Sequence, residues 1–536
     1  MKNYMMDRQL TITDIINRSC KFYKDKEILS VFPDGRKVKY TYENFYERVK
    51  SLASFLANLN IKRGDKVATL MNNHNAHLEA YYGIPAAGFI IHTINIKLPL
   101  DDIIYIINHA DDKVLIIDDT LITLYENIKD KIKVKTIIIN SINNIDHPFI
   151  DYEKDVMLNN NSNYEFPEIN ENEPMGMSYS SGTTGRPKGV VYTHKAICLY
   201  TVISSGSAAF NLNSNDIIMP VVPMYHVNAW CLPYMGIYAG CKIVLPFAYK
   251  GASTLIKLME ETKVNFVAAA TTIWHEVAYE LDKRNYFHNL ANNFTLNIGG
   301  STPSEDILLK LLRANLNIIH TWGMTESSPN GLINKLETVP KEKSIREKAK
   351  FLTKQGIPWP FMDVKIVKDG KEVPKDGKTM GNLYIRSPWV INSYYKNEGE
   401  DSFKDGWLDT GDIAVIDEDN YIQIVDRSKD LIRSGGEWIS STALENMLLQ
   451  HSDIIDAAVV AAKHPKWGER PYAFIVTKNG KKIDIVELKE LLLTKFPKWW
   501  LPDEYIYIDS LPKNANGKIL KKELRKYLET YQSNKK

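Results

Sequence analysis

The chain has 536 residues, of which 44% are apolar and 25% charged, as expected for an ordinary globular protein of more than one domain. Its 67 Lys and Arg residues against 65 Asp and Glu residues leave a formal charge of +2, so no general nucleic-acid footprint appears. No apolar run approaches the roughly 18 residues of a membrane span, and the first residues contain no secretory apolar segment.

The four cysteines are widely separated along the chain. They are Cys20, Cys198, Cys231 and Cys241, and no pair has C-x-x-C spacing. A zinc site and a disulfide framework are therefore not expected. This pattern favours a protein of the reducing cytoplasm.

Short β-branched runs alternate with helical patterns through the first half of the chain. The predicted buried strands are 66–70, 113–118, 135–139, 242–246 and 265–270. The segment 101–110, DDIIYIINHA, has the spacing of an amphipathic helix. This alternation predicts an α/β fold of largely parallel sheets covered by helices.

The segment 179–189, YSSGTTGRPKG, combines three glycines with hydroxyls, an arginine and a lysine. It is not a Walker A loop, because Lys188 is preceded by Pro187 and followed by Gly189. Glycines permit close backbone approach, and successive N–H groups can form an anion nest. The segment therefore predicts either a phosphate-binding loop or a flexible surface loop.

The chain changes character from about residue 362 onward. DVKIV, GNLYIRS, DIAVID and YIQIV follow one another closely and predict a small antiparallel or barrel-like β unit. A break is expected within 425–438, where a charged stretch with glycines follows a strand. Residues 427–536 then carry 20 Lys and Arg against 14 Asp and Glu, which fits either a solvated basic face or a small domain facing a polyanionic ligand.

Seven motifs occur in a fixed order along the chain. They are YSSGTTGRPKG (179–189), PMYHVNAW (223–230), NIGGSTP (297–303), HTWGMTE (320–326), GWLDTGD (406–412), VDRSKDLIRSGGEWISS (425–441) and LPKNANGK (511–518). With them the sequence resembles the adenylate-forming superfamily of acyl-CoA synthetases, luciferases and nonribosomal adenylation domains over essentially its whole length. The resemblance implies residues 1–426 as an N-terminal domain that binds ATP and the acyl group. It implies residues 427–536 as a mobile α+β C-terminal domain, with a hinge near 426–430.

Three further segments resemble one branch of that superfamily. HTINIKL (92–98), HPKWGERP (464–471) and KWWLPDE (498–504) are similar to medium- and long-chain fatty-acyl-CoA ligases and to 3-methylmercaptopropionate ligases. The implied reaction has two steps, in which a carboxylate attacks the α-phosphate of ATP and the thiol of CoA then displaces AMP. A fatty or short aliphatic acid, ATP, CoA and Mg²⁺ are the implied substrates and cofactor, and a homodimer is compatible with the resemblance.

The resemblance also assigns residues to the nucleotide. It implies phosphate contacts for Thr183, Thr184, Lys188 and Thr325, and a magnesium site at Thr184 and Glu326. Adenine would lie near Gly300, Ser301, Thr321 and Trp322, and ribose near Asp412 and Arg427. Lys429 would stand at the hinge. Lys518 would bridge the attacking carboxylate and the α-phosphate, although lysine-rich surroundings alone would make it an ordinary tail residue.

The remaining assignments concern the acyl group and CoA. His226 resembles a group beside the acyl carboxylate, and Trp230 a gate to the acyl tunnel. Gly435, Gly436, Glu437 and Trp438 would line the path of CoA. Two other functions stay open, namely loading of an acyl group onto a carrier protein and nucleotide binding without catalysis.

Overall fold

The structure is a computed structural model and describes residues 5–143, 145–158, 163–180, 186–435, 437–513 and 519–534. The α-helices of the described residues are α1 (Ile12–Phe22), α2 (Tyr42–Ala57), α3 (Asn75–Ala86), α4 (Leu100–Ala110), α5 (Ile122–Ile128), α6 (His194–Ser205), α7 (Leu232–Ala239), α8 (Ala252–Thr262), α9 (Thr271–Lys283), α10 (Glu305–Arg313), α11 (Ile345–Leu352), α12 (Ser441–Leu448), α13 (Ile485–Leu493) and α14 (Lys521–Asn534).

The strands of the first half are β1 (Glu27–Val31), β2 (Lys37–Thr41), β3 (Lys66–Leu70), β4 (Ile90–Thr93), β5 (Val114–Asp118), β6 (Thr136–Asn140), β7 (Ile150–Asp151), β8 (Pro174–Tyr179), β9 (Gly189–Thr193), β10 (Ile217–Pro220), β11 (Lys242–Leu245) and β12 (Phe266–Ala270). The strands of the second half are β13 (Thr295–Gly299), β14 (Asn317–Gly323), β15 (Asn330–Lys335), β16 (Ile357–Pro358), β17 (Asp363–Lys368), β18 (Lys371–Glu372), β19 (Gly381–Arg386), β20 (Phe403–Lys404), β21 (Trp407–Ile416), β22 (Ile422–Arg427), β23 (Ile432–Ser434), β24 (Glu437–Ile439), β25 (Ile454–His464), β26 (Gly468–Thr477) and β27 (Glu504–Tyr507).

The chain divides into two compact units. Unit 1 comprises Met1–Asp363 and Ile385–Leu408, and unit 2 comprises Val364–Tyr384 and Asp409–Lys536. The hinge expected near 426–430 stays a prediction, as do the domain limits drawn from it.

Two large sheets form unit 1. One has the strand order β7-β6-β5-β3-β4-β8-β9, and only its last pair, β8 with β9, is antiparallel. The other has the order β16-β15-β14-β13-β12-β10-β11-β1-β2, with a parallel centre and antiparallel edges. The predicted α/β class with parallel-type sheets is confirmed.

Apolar helix faces cover both sheets. Ile103, Ile106 and Ile107 of α4 are buried in one cluster with Leu115 and Ile117 of β5. The buried side of α4 follows the spacing that the sequence predicts for an amphipathic helix. Trp274 of α9, fully buried, joins a second cluster that includes strands of the nine-stranded sheet. These packed helices hold the ends of the parallel strands in fixed positions.

The region after residue 362 forms a small β unit, in which the pairs β17–β18, β20–β21 and β21–β22 are antiparallel. Its sheet has the order β18-β17-β19-β21-β20, and β22 pairs with β21. Asp412 of β21 stands opposite Arg427 of β22 in an antiparallel register.

The last part of unit 2 is an α+β layer structure. Its sheet has the order β24-β23-β26-β25, with β27 parallel to β26. Val459 belongs to a buried cluster with α12 and α13, and the next residue, Val460, to a cluster with α14. Successive strand residues point to opposite faces, so these helices cover the two sides of the sheet. Within the described part of the chain, no helix combines the length and apolar character needed to cross a bilayer.

Candidate active site

The glycine-rich segment connects β8 and β9. The two strands pair antiparallel as far as Tyr179 and Gly189, and the N–H of Ser180 donates to the carbonyl of Lys188 at 2.9 Å. A Cβ on Gly189 would lie 2.9 Å from Tyr395 Cβ, an atom fixed next to its backbone, so a larger residue would require a shift at this strand start. Lys188 is therefore held at the base of the segment. Thr183 and Thr184 lie outside the described residues.

In unit 1, Tyr394 contacts both Lys188 and Glu326. The Lys188 Nζ atom lies 4.9 Å from the centre of the Tyr394 ring, a cation–π distance. The Tyr394 hydroxyl donates to Glu326 Oε1 at 2.7 Å. Burial, and then the charge of Glu326, raise the pKa of Tyr394 well above its usual value, so the phenol stays a donor at neutral pH. A cation and a buried carboxylate thus share one aromatic partner.

Backbone contacts fix the turn that carries Glu326. The hydroxyl of Tyr192, a buried residue of β9, donates to the carbonyl of Thr325 at 2.9 Å. The N–H of Ile391 donates to the carbonyl of Glu326 at 3.1 Å. These bonds hold the turn from both sides, so the carboxylate is positioned before any ligand arrives.

A second group of predicted residues meets at the carboxyl ends of β13 and β14. These strands are parallel neighbours, so Gly299 and Thr321 lie side by side. A Cβ on Gly299 would be 2.8 Å from the Thr321 carbonyl oxygen and 3.2 Å from Trp230 Cη2. Gly300 and Ser301, both exposed, follow directly. The ends of the two strands therefore lie close together, next to the indole ring of Trp230.

Trp230 lies in a left-handed backbone turn. The five residues Val227–Cys231 all have φ between 45° and 59°, although none is glycine. L-residues rarely adopt this region in succession because each one is strained there. His226 immediately precedes the turn and is half-buried. Burial lowers the pKa of His226 to about 4, so the imidazole is neutral at physiological pH.

In unit 2, Asp412 and Arg427 form an ion pair. Arg427 Nε lies 2.9 Å from Asp412 Oδ1, and the Asp412 side chain is almost fully buried. The Arg427 guanidinium also donates to the carbonyl of Thr410 at 3.2 Å. The antiparallel register of β21 and β22 produces this contact, which the sequence predicted only as two separate ligand groups.

The other predicted residues of unit 2 that the structure describes lie on the hairpin β23–β24 or in the segment before it. Gly435, at φ +59°, donates its N–H to the carbonyl of Trp467 at 2.8 Å. Trp438 is partly buried with Lys368 Nζ 5.4 Å from its ring, and Glu437 is exposed. Burial lowers the pKa of Lys429, an effect that Arg427 and two further cations increase. Gly436 and Lys518 are outside the described residues.

The arrangement fits a magnesium ion that arrives together with phosphates. Among the described residues, no three His, Cys, Asp or Glu side chains form a group that could hold a metal by themselves. Magnesium is commonly bound by one or two carboxylates plus the phosphates of its substrate. Glu326, a buried carboxylate oriented by Tyr394, meets that requirement with a single oxygen ligand.

Two family descriptions match the sequence. Residues 16–395 match "AMP-binding enzyme", and residues 443–518 match "AMP-binding enzyme C-terminal domain". Together the two matches cover most of the chain, including the candidate residues of unit 1, while Asp412, Arg427 and the hairpin β23–β24 lie between them.

Three curated relatives are similar over nearly the full length. A long-chain-fatty-acid–CoA ligase of Thermus thermophilus is 38% identical, with 98% of this chain and 97% of the relative aligned. A medium-chain-fatty-acid–CoA ligase of Ectopseudomonas oleovorans is 36% identical over the same shares. A 3-methylmercaptopropionyl-CoA ligase of Ruegeria lacuscaerulensis is also 36% identical, over 98% of each chain.

A solved structure has the same fold. An anthranilate CoA ligase in complex with anthranoyl-AMP superposes with a TM-score of 0.86, covering 99% of this chain and 100% of its own. Its sequence is only 23% identical, so the likeness concerns the fold.

Proposed function

The chain belongs to the AMP-binding enzyme family, and from that premise we propose that it is an ATP-dependent ligase that joins a carboxylic acid to coenzyme A. The acid is first converted to an acyl-adenylate with release of pyrophosphate. The CoA thiol then attacks the acyl carbon, and AMP leaves. The observation that carries the proposal is that Tyr394 contacts both Lys188, at the end of the glycine-rich segment, and Glu326.

The first step requires positive charge, because a carboxylate must approach an anionic phosphate chain. We assign Lys188, together with Thr183 and Thr184, to the β- and γ-phosphates. Mg²⁺ would be held by Glu326 and Thr184 and would neutralise charge on the phosphate oxygens. Lys518 orients the attacking carboxylate against the α-phosphate, a role for which a compact ammonium is suited.

The nucleoside is assigned to two groups of residues. We assign adenine to Gly300, Ser301, Thr321 and Trp322, since a glycine backbone permits close approach and an indole favours stacking. The buried Asp412 carboxylate accepts hydrogen bonds from the ribose hydroxyls, and Arg427 orients that carboxylate.

The acyl group is assigned to the segment around the left-handed turn. Because His226 is neutral, it contacts the acid through hydrogen bonding and adds no charge to it. Trp230 lies over Gly299 and controls entry to the acyl pocket. Each buried CH₂ of a substrate is worth roughly 0.8 kcal/mol, so the depth of this pocket sets the preferred chain length.

We propose an aliphatic substrate, either a fatty acid or 3-methylmercaptopropionate, and a cytoplasmic location. Three relatives with those activities support the acid, and four free, buried cysteines support the location. We assign CoA to Gly435, Gly436, Glu437 and Trp438, with Lys429 at the hinge. Carrier-protein loading is the alternative.

The test is AMP release by the purified protein with ATP, Mg²⁺ and CoA. The acids run from acetate to palmitate and include 3-methylmercaptopropionate and a cinnamate. We expect CoA-dependent turnover that is greatest with one aliphatic acid. Acyl-adenylate formation without any CoA-dependent thioester would favour carrier loading, and ATP binding without AMP release would show that catalysis has been lost.

A further inference from the structure

The first turn of α14 lies next to two segments that the proposed function assigns to ATP. Lys521 is the first residue of the helix and comes three residues after Lys518. Immediately before the helix, Ile519 bridges to Lys513, and the N–H of Leu520 donates to the carbonyl of Pro512 at 2.8 Å. These two contacts fix the start of α14 relative to Pro512 and Lys513.

Lys521 makes two short contacts with α12. Its Nζ atom lies 2.6 Å from Glu445 Oε1 and 2.6 Å from Ser441 Oγ. The side chains of Lys521 and Glu445 are only 11% and 12% exposed, so water screens this pair poorly. Glu445 Oε1 also accepts the N–H of Val459 at 2.7 Å. One ammonium therefore ties α14 to α12 and to the sheet.

The same contacts continue to the segment that carries Arg427. Ser441 donates both its N–H and its hydroxyl to Asp426 Oδ2, each at 2.6 Å. Asp426 is buried and also accepts the N–H of Arg427 at 2.7 Å. From Lys521, an unbroken series of hydrogen bonds thus leads through Ser441 to the residue next to Arg427.

A second contact of α14 supports the same connection. Arg525, one turn after Lys521, pairs with Asp430 Oδ1 at 2.5 Å and donates to the carbonyl of Lys429 at 3.0 Å. Burial opposes the charge of Lys521, but the carboxylates of Glu445, Asp426 and Asp430 outweigh it and raise its pKa. Burial raises the pKa of Glu445 to about 7 despite its cationic partner. Removing that partner would leave an acid in a site that disfavours its charge.

We propose that Lys521 is a positioning residue for adenylation. By pairing with Glu445 and Ser441 it fixes α14 against α12. It thereby fixes the segment of Arg427 and the start of α14, which comes three residues after Lys518. Lys521 does not contact the reacting atoms in this assignment. The proposal rests on the proposed function, because it concerns the first half-reaction of that ligase.

The experiment measures the two half-reactions separately in Lys521→Met, Lys521→Arg and the control Lys522→Met. Adenylation is followed by acid-dependent pyrophosphate release, and thioesterification with supplied acyl-adenylate and CoA. For Lys521→Met we expect kcat of adenylation to fall by about 100-fold, the scale of effect that a displacement of about 1 Å produces. Thioesterification should fall by less than about threefold, and Lys521→Arg should restore most of the rate. Lys522 is exposed on the same helix, and its variant should behave like the wild type.

The double variant Glu445→Gln/Lys521→Met is a second test in case Lys521→Met misfolds, because it removes the ammonium together with the carboxylate that pairs with it. It should melt cooperatively, retain thioesterification and lose adenylation. Wild-type adenylation in the folded double variant would overturn the proposal, and so would equal loss of both half-reactions. Failure of the wild type to release AMP would instead reject the proposed function. An effect of Lys518→Ala on adenylation without one of Lys521→Met would reject only the positioning role.

Discussion

At the scale of single residues, Tyr394 links two residues of the candidate site that the sequence predicted separately. It contacts the ammonium of Lys188 through its ring and the carboxylate of Glu326 through its hydroxyl. In sequence it stands 68 positions from Glu326, and no motif identified it. A tyrosine in this place contacts both charged groups and can orient each of them.

Replacing Glu326 by Gln should impair adenylation specifically. The amide keeps the shape of the side chain but removes the negative charge proposed to hold Mg²⁺. We expect acid-dependent pyrophosphate release to fall by about 100-fold, in the range measured when one electrostatic catalytic group is lost. The apparent Mg²⁺ requirement should rise, while thioesterification of supplied acyl-adenylate continues. Glu337→Gln, a change at an exposed acid of the same unit, is the control. An unchanged metal requirement would argue against the assignment.

Replacing Lys518 by Ala should separate the two half-reactions. Acyl-adenylate formation should collapse, since the group that orients carboxylate and α-phosphate is gone. Thioesterification of supplied acyl-adenylate should largely survive. Rapid-quench measurement of each step decides the matter, and equal loss in both steps would contradict the role of Lys518.

At the scale of elements, the left-handed turn Val227–Cys231 is the least expected feature. Left-handed backbone costs roughly 1–2 kcal/mol for each L-residue, and five successive residues adopt it here. The surrounding elements compensate for that strain, since Ala229 and Cys231 are fully buried. Strained segments concentrate at functional sites, and this one carries the proposed acyl gate.

An Ala-to-Gly change should cost less stability in the left-handed turn than in a helix. Ala229→Gly should destabilise unit 1 less than Ala278→Gly by about 1–2 kcal/mol, because glycine tolerates positive φ whereas it weakens the helix α9. Both alanines are fully buried, so both changes remove the same buried methyl group. Urea denaturation of the two variants measures the difference. Equal destabilisation would mean that the turn is unstrained.

Some elements follow directly from the sequence and others do not. Strand β3 occupies the predicted residues 66–70, and the helix predicted at 101–110 is α4, one residue longer. These elements follow from β-branched runs and apolar spacing alone. The hairpin β23–β24 was not predicted, because strands of three residues are too short to show a period. The left-handed turn could not be predicted, since Val, Ala and Trp do not favour positive φ.

Residues of the candidate site could be predicted from the sequence only where they belong to a motif. Lys188, Glu326, Asp412 and Arg427 were singled out from their motifs, and the structure adds that Asp412 and Arg427 pair. The roles of Tyr192 and Tyr394 depend on contacts between distant parts of unit 1, which local sequence does not encode. The roles of all the site residues stay predictions, and Thr183, Thr184, Gly436 and Lys518 lie outside the described residues.

At the scale of the whole molecule, three buried histidines of unit 1 link stability to pH. Burial lowers the pKa of His77 to about 3 and of His194 and His320 to about 4. Each is neutral when folded, but takes up a proton near pH 6.5 when unfolded. The stability they contribute is present above pH 6.5 and is lost as the pH falls towards 4.

Acidification from pH 7.5 to 5.5 should therefore lower the free energy of unfolding of unit 1. Each histidine contributes about 1.4 kcal/mol to that loss. Chemical denaturation at both pH values measures it, and His320→Gln should reduce the pH dependence by one histidine's share whatever its effect on absolute stability. Stability that rises on acidification over this range would contradict the neutral state of these residues.

The four cysteines have a practical consequence for observing this molecule at work. All are free and buried, and burial raises the pKa of Cys20, Cys198 and Cys241 to about 12, with Cys231 shifted in the same direction. Thiolate is the reactive form, so maleimide dyes should leave the native thiols unmodified at neutral pH. A single cysteine introduced at an exposed position such as Lys522 would then be the preferred labelling site. Fluorescence from that dye could follow α14 through the catalytic cycle without a cysteine-free background.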